Sequence, residues 1–358
     1  MTNGKCFARH LRVSASPRLR VILSAYCFLP TAFCVFLTVF SLNASAATWN
    51  RQSSGTLGWL HSVFFLNQKT GWAVGSKGAL LTTNDGGVTW TIQARPTEDS
   101  LQDVYFSSPQ NGWLVCEANI YELTTKEAPR TYLMHTEDGG KTWEKVDVNG
   151  ADLKGNVDTR LTRLIFSRGG RGWVFGEAGT AYTTTDAGKT WKRLQLPTRY
   201  LLLGGAFVDN DRGWLVGAGA TILQTSDGGD TWHASRLTDV AGIRFTAASF
   251  IDNRLGWAVG TGGSILRTIN GGRTWTRQDA GITTDLLDVK FLNDLEGWAV
   301  GARGIVIRTF DGGLHWTAEP SNTQHPLERV FITDRDHAWA VGFGGTIIAY
   351  GHATAARQ

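Results

Sequence analysis

Two short motifs recur along this chain at a near-constant step, and a fixed period restricts the fold more than any local propensity does. Gly-Trp places tryptophans at Trp72, Trp113, Trp173, Trp214, Trp257 and Trp298, and Ala338 precedes a seventh at Trp339. The steps between them are 41, 60, 41, 43, 41 and 41 residues. The second motif is an acidic, glycine-rich turn that ends in tryptophan. It reads NDGGVTW at 84–90, EDGGKTW at 137–143, TDAGKTW at 185–191, SDGGDTW at 226–232, INGGRTW at 269–275 and FDGGLHW at 310–316. The two sets and Trp49 take up fourteen of the 15 tryptophans, so the repeat governs where tryptophan goes.

Each unit reads as four short strands. The first follows the pattern Leu-x-x-Val-x-Phe, as in Leu286 to Phe291. Phe65, Phe106, Phe166, Phe207, Phe250 and Phe291 each stand seven residues before a Gly-Trp tryptophan. The second strand is Gly-Trp-Ala-Val-Gly or a variant, the third resembles Ile265-Leu266-Arg267-Thr268, and the fourth starts at the closing tryptophan. Period-2 alternation between glycine-rich turns, with four strands in about 41 residues, predicts a propeller blade. No apolar run has the length and 3.6-residue spacing that a helical solenoid needs.

The ends of the repeat set the blade count. The seventh unit, Leu327 to Tyr350, has three strands and no closing turn. Near the start, Thr48-Trp49-Asn50-Arg51-Gln52 copies Thr274-Trp275-Thr276-Arg277-Gln278, and Trp49 to Trp90 is again 41 residues. The N-terminal strand is therefore expected to complete the last blade. An all-β, seven-bladed ring of four-stranded antiparallel blades then spans 47–351, with a short tail at 352–358. Such closure leaves no sheet edge open between first and last units.

Residues 1–46 stand outside the repeat. Lys5, Arg9, Arg12, Arg18 and Arg20 precede an apolar run from Val21 to Leu42, and Ala44-Ser45-Ala46 follows. This is the form of a secretory signal, and its alternative is an uncleaved membrane anchor. Removing those five of the 35 basic residues leaves 30 against 31 acids, so the remaining chain carries a formal charge of −1. Nucleic acid is then a poor partner, because phosphate contacts need local positive charge. Cys116 alone remains outside the leader, which excludes an intramolecular disulfide there.

The repeated box resembles the Asp-box of BNR-repeat propellers, familiar from sialidases. Asp85, Asp138, Asp186, Asp227, Asn270 and Asp311 hold its acidic position. A side chain there accepts hydrogen bonds from its own turn, and glycine supplies the positive φ. Asn270, Ala187 and His315 depart from the box without loss of that role, which reads as a structural joint rather than six pieces of an active site. No Arg-Ile-Pro of the sialidase kind follows the leader, and no Gly-x-Ser-x-Gly appears. Glycoside hydrolysis needs two carboxyl groups roughly 5–9.5 Å apart. Asp103 and Asp288, at equivalent positions in blades 2 and 6, are the best pair. They are expected on well-separated parts of the ring, each neutralised by a neighbour, Arg163 or Arg329. The histidines lack metal-ligand spacing, so no metal and no cofactor are expected. Cys116 takes a slot that is glycine at 75, 217 and 260, and reads as a small residue in a tight strand.

Taken together, Gly-Trp-Ala-Val-Gly strands, Asp-Gly-Gly-x-Thr-Trp turns, seven blades and a leader resemble the photosystem II assembly and stability factor family over about residues 48–350. The resemblance implies a lumenal or periplasmic, non-enzymatic chaperone that binds a newly made reaction-centre subunit through an arginine-rich patch. The family also has relatives in non-photosynthetic bacteria. The expectation is an exported monomeric scaffold for a membrane or exported protein. The rival is a carbohydrate-active propeller, hydrolase or lectin-like.

Two insertions mark the expected binding face. Trp113 to Asp138 spans 25 residues where regular blades use 13, and Trp143 to Leu164 spans 21 where they use 14. Strand alternation puts both on the face opposite the boxes. Tyr121, Arg130 and Tyr132 on the first insertion, with Arg163, Arg303 and Arg329, are the candidate partner contacts. The leader makes its own prediction: N-terminal sequencing of the envelope form should begin at Ala47, and an intact Met1 would establish the anchor instead.

Overall fold

The computed structural model describes residues 47–119, 130–146, 148, 159–238 and 240–351. The leader at 1–46, Ile120, Tyr121 and the tail at 352–358 lie outside the described residues. Among the described residues, 28 strands form seven four-stranded antiparallel sheets. Blades 1 to 7 begin with the inner strands Leu60–Phe65, Ser100–Phe106, Leu161–Phe166, Leu202–Phe207, Phe245–Phe250, Leu286–Phe291 and Leu327–Asp334. The second strand of each blade carries the Gly-Trp motif and is almost wholly buried, which is why it reads as a continuous small-and-apolar run. Outer strands are as short as two exposed residues, as in Thr91–Ile92, so little sheet edge faces water.

One aromatic arrangement recurs between blades. The phenylalanine ending an inner strand is stacked on one side by the Gly-Trp tryptophan of the preceding blade. Trp173 covers Phe207 at 3.5 Å, Trp214 covers Phe250 at 3.6 Å and Trp257 covers Phe291 at 3.4 Å, all nearly parallel. On its other side the same ring meets the box tryptophan of its own blade edge-on, as in Phe250–Trp275 and Phe291–Trp316. The indole Nε1 of Trp173, Trp214 and Trp257 then donates to a carbonyl in the next blade's box, at Gly228, Gly271 and Gly312. Glycine precedes the tryptophan because of the phenylalanine: a Cβ on Gly256 would lie 2.4 Å from the Phe250 ring.

The ring closes as the motif count requires. Thr48–Gln52 pairs antiparallel with Thr346–Gly351, with Trp49 opposite Tyr350 and Gln52 opposite Ile347. Trp339 of blade 7 stacks on Phe65 of blade 1 at 3.6 Å and donates to the Gly86 carbonyl. Blade 7 has Ile332 in place of the stacking phenylalanine and no box. There the Trp298 indole turns to the Glu319 carboxylate at 3.3 Å, and Arg308 lies 3.9 Å over its ring.

Chain direction sorts the loops. Turns after the first strand share one face with the boxes, and box amides donate to them, as Gly86 to Lys69 and Gly271 to Arg254. The loops after the second and fourth strands lie on the opposite face. Because Trp49 is fully buried in the closing blade, Trp49→Ala should cost about 3–5 kcal/mol, and deletion of 47–53 more. Chemical denaturation of the full chain and both variants measures this; an unchanged midpoint in the deletion would disprove closure by the N-terminal strand.

Candidate functional site

The acidic side chains of the six boxes bond within their own turns. In blade 3, the Thr190 amide and hydroxyl donate to the two Asp186 carboxylate oxygens at 2.9 and 2.6 Å, and the Thr184 hydroxyl donates to Oδ1 at 2.7 Å. Thr184 in turn accepts from the Gly188 amide. Asp85, Asp138, Asp227 and Asp311 repeat the pattern, with His315 standing in for threonine beside Asp311. Asn270 keeps the amide contact through Oδ1 and donates from Nδ2 to Thr274. Every hydrogen bond that the Asp186 carboxylate accepts comes from its own turn. The Thr190 hydroxyl and amide hold the Asp186 carboxyl down at about 2, and Asp138 and Asp227 are lowered by the same contacts.

The inner strands set one layer of residues around the axis, and it holds most of their charge. Each inner strand has a bulge after its first buried residue, and the third position faces inward: Ser62, Asp103, Arg163, Gly204, Ala247, Asp288 and Arg329. Asp103 accepts from the Ser62 hydroxyl at 2.6 Å and from the Val104 and Leu164 amides, the latter in the next blade. Asp288 accepts from Val289 and, across the blade boundary, from Val330 at 3.0 Å. Both acids are therefore clips between adjacent inner strands. Burial pushes both carboxyls up, against the opposing pull of Arg163 on Asp103 and of Lys290 on Asp288.

Here the structure departs from the expected pairing. The two acids do not stand apart with one arginine each. Arg329 reaches both, with Nη2 at 3.8 Å from Asp103 Oδ1 and Nη1 at 4.0 Å from Asp288 Oδ1. The narrow axis brings opposite blades together, which linear spacing cannot reveal. Arg163 uses Nε on the Leu203 carbonyl at 3.0 Å. Arg329 is buried in the channel wall, so the outer patch loses it.

The face opposite the boxes holds the bases of both insertions. Glu117 pairs in register with Thr131, and the Ala118 amide donates to the Arg130 carbonyl. Arg130 joins Glu117 at 3.0 Å and Glu177 of blade 3 at 3.4 Å, while Arg160 reaches Glu117 at 2.9 Å. Tyr132 is not an insertion residue. It lies in the strand Thr131–Thr136, buried, with its hydroxyl donating to Asp99 at 2.6 Å. Arg303 is exposed at a left-handed turn position, φ 56°. Across the face, Leu57, Trp59 and Phe343 are exposed, with Trp59 and Phe343 edge-to-face at 5.5 Å. The insertion lengths pointed to the first cluster. Nothing in the repeat pointed to the second, because Trp59 is the one tryptophan outside it.

Cys116 is fully buried beside Tyr132 and Met134, and burial pushes its thiol up, so it lacks thiolate character. Leu101 faces Cys116 as Leu60 faces Gly75, but in blade 2 the first two strands pair one residue further, Ser100 with Glu117. Among the described residues, no group of three or more His, Cys, Asp or Glu side chains could hold a metal ion. No helix among them is long and apolar enough to cross a membrane.

The family model described as photosynthesis system II assembly factor YCF48 matches residues 42–120, 90–201 and 194–281. The chloroplastic photosystem II stability/assembly factor HCF136 of Arabidopsis thaliana is 31% identical over 70 residues, which is 20% of this chain and 17% of that relative's length. The structure of YCF48 from Cyanidioschyzon merolae shares the fold with TM-score 0.68 at 22% identity, covering 85% of this chain and 99% of that one. YCF48 bound to D1 peptide also gives 0.68, at 18% identity, covering 88% and 99%. A GH74 xyloglucanase from Xanthomonas campestris shares the fold at 0.66 and 14% identity, over 87% of this chain and 55% of the enzyme.

The boxes carry a pH prediction. Asp186 is held near 2 against an unfolded value of about 3.9, so its contribution is complete above pH ~4 and lost as pH falls through ~2. The other four box aspartates shift in the same direction. Melting temperature should fall steeply from about pH 4 to 2, and Asp186→Asn should shallow that slope while Asp186→Ala lowers stability at pH 7. A flat profile across this range would refute the assignment.

Proposed function

This chain belongs to the family of photosynthesis system II assembly factor YCF48, and on that premise we propose an exported, non-enzymatic scaffold. It holds a membrane or exported protein while that protein is assembled. The family membership carries this reading. A relative, YCF48, has been solved with a D1 peptide, which makes a peptide segment of a protein under assembly the kind of partner to test first.

The way the acids are used supports a non-enzymatic role. Hydrolytic propellers share this fold, yet fold alone does not transfer chemistry. Asp103 and Asp288 spend their oxygens on main-chain amides of adjacent blades, which leaves neither poised as a free acid or nucleophile. The box carboxylates are committed to their own turns. No observation favours a carbohydrate substrate over a protein one.

The partner surface we infer is the face opposite the boxes, over blades 2 and 3. Long loops on a rigid scaffold are where binding residues concentrate, and the Arg130–Glu117–Arg160 network stiffens the base of the first insertion. Tyr121 on that insertion is the proposed contact over blades 2 and 3, with Arg163 at the axis, and the exposed Arg303 extends the same face across the ring at blade 6. Captured from envelope extract or probed with a D1 peptide, binding should weaken about tenfold in Tyr121→Ala/Arg303→Glu. It should be unchanged in Arg273→Glu on the box face. Equal loss in both variants, or in neither, would rule this face out.

A further inference from the structure

The axial channel holds more positive charge than its two aspartates use. A cavity of about 210 Å³ runs from the Ser62–Arg329 layer toward the box face, lined by Arg163, Lys290 and Arg329 as well as Asp103 and Asp288. Among these five groups the formal balance is one positive charge, with the Glu328 carboxylate near enough for the Arg163 charge to oppose the rise that burial gives it. The guanidinium of Arg329 sits between the two carboxylates at 3.8 and 4.0 Å, outside hydrogen-bond range. Its Nη2 is buried and makes no hydrogen bond to the protein. The carboxylates are turned instead to Ser62 and to main-chain amides.

A second cation is similarly underused. Arg163 is anchored by Nε on the Leu203 carbonyl, and no hydrogen bond engages its two Nη groups among the described residues. Lys290 has no ion pair within 4.0 Å among them. Buried donors without acceptors cost free energy, and a planar guanidinium fork suits a carboxylate. Toward the box face the lining changes character. Phe64 packs edge-on against Tyr105 and Phe331, both at 5.2 Å, so aromatic rings follow directly on the charged layer.

We propose that the axial channel binds a small organic carboxylate, with its charged end on Arg329 and Arg163 within reach of Lys290, and its apolar part against Phe64, Tyr105 and Phe331, the rings that share the Lys290 layer. An inorganic anion would satisfy the donors and waste the rings. The carboxylate has two chemical sources, a free organic acid or the C-terminal residue of a peptide entering along the axis. The site shares Arg163 with the partner contacts proposed above, while Lys290, Phe64, Tyr105 and Phe331 extend it toward the box face.

Calorimetric titration of the full chain with benzoate tests this, with benzamide as the neutral isostere. Benzoate should bind at least about tenfold more tightly than benzamide, and Lys290→Ala and Arg163→Gln should each weaken it about fivefold. Lys290 is half-buried, so its truncation leaves the fold intact and keeps the test open if Arg163→Gln destabilises the ring. A peptide ending in phenylalanine, compared with its C-terminal amide, separates the sources. Tighter binding of the free-acid peptide than of benzoate marks a peptide terminus, and weaker binding marks a free acid. No benzoate binding up to about 10 mM, equal affinity for benzamide, or unchanged affinity in Lys290→Ala would overturn the proposal.

Discussion

The ring depends on a tryptophan laid flat on the next blade's phenylalanine. Blades share no main-chain ladder with one another, so side chains must join them. The stacks at 3.4–3.8 Å recur at Trp72–Phe106, Trp173–Phe207, Trp214–Phe250, Trp257–Phe291 and Trp339–Phe65. Each contributes about 0.5–1.5 kcal/mol beyond the apolar area it buries. At Trp113–Phe166 the rings are tilted at 6.0 Å, and this is the junction that both insertions flank. The loosest stack thus sits where the repeat is most interrupted.

The junction between blades 6 and 7 solves the same problem with charge. Ile332 cannot stack as phenylalanine does, and the chain ends supply no box. Arg308, buried among Trp298, Phe310 and Tyr350, fills the gap and donates to the Tyr350 hydroxyl at 2.6 Å. Glu296 pairs with both Arg308 and Arg335, and Glu319 accepts from the Trp49 and Trp298 indoles. Cation–π contact strengthens when the pair is desolvated. A buried charge is stable only while its partners remain, so this network binds the two chain ends as one unit.

Since the repeated residues serve the ring, function falls to the places where blades differ. Three such places emerge: the insertions at blades 2 and 3, the exposed Trp59–Phe343 pair, and the third inner-strand position, where the seven residues run Ser, Asp, Arg, Gly, Ala, Asp, Arg. A rigid ring with variable loops and a variable axial layer suits a binding role, because recognition can change there without disturbing the stacks. Family membership agrees with that division of labour.

The sequence by itself determined the architecture. Motif spacing set four strands per unit, seven units and closure by Thr48–Gln52, because each tryptophan, phenylalanine and box occupies a fixed place in a short, local pattern. The boxes were legible as joints for the same reason: Asp186, its partners Thr184 and Thr190, and Gly188, which donates to Thr184, lie within seven residues of one another. Tertiary structure alone decided what meets across the axis and between insertions. Arg329 contacts Asp103 although 226 positions separate them in the chain, Tyr132 moved from an expected loop into the core, and Arg130 became an ion-paired support. Contacts through the channel join residues from non-adjacent blades, and no local period encodes which side chains face one another across a closed ring.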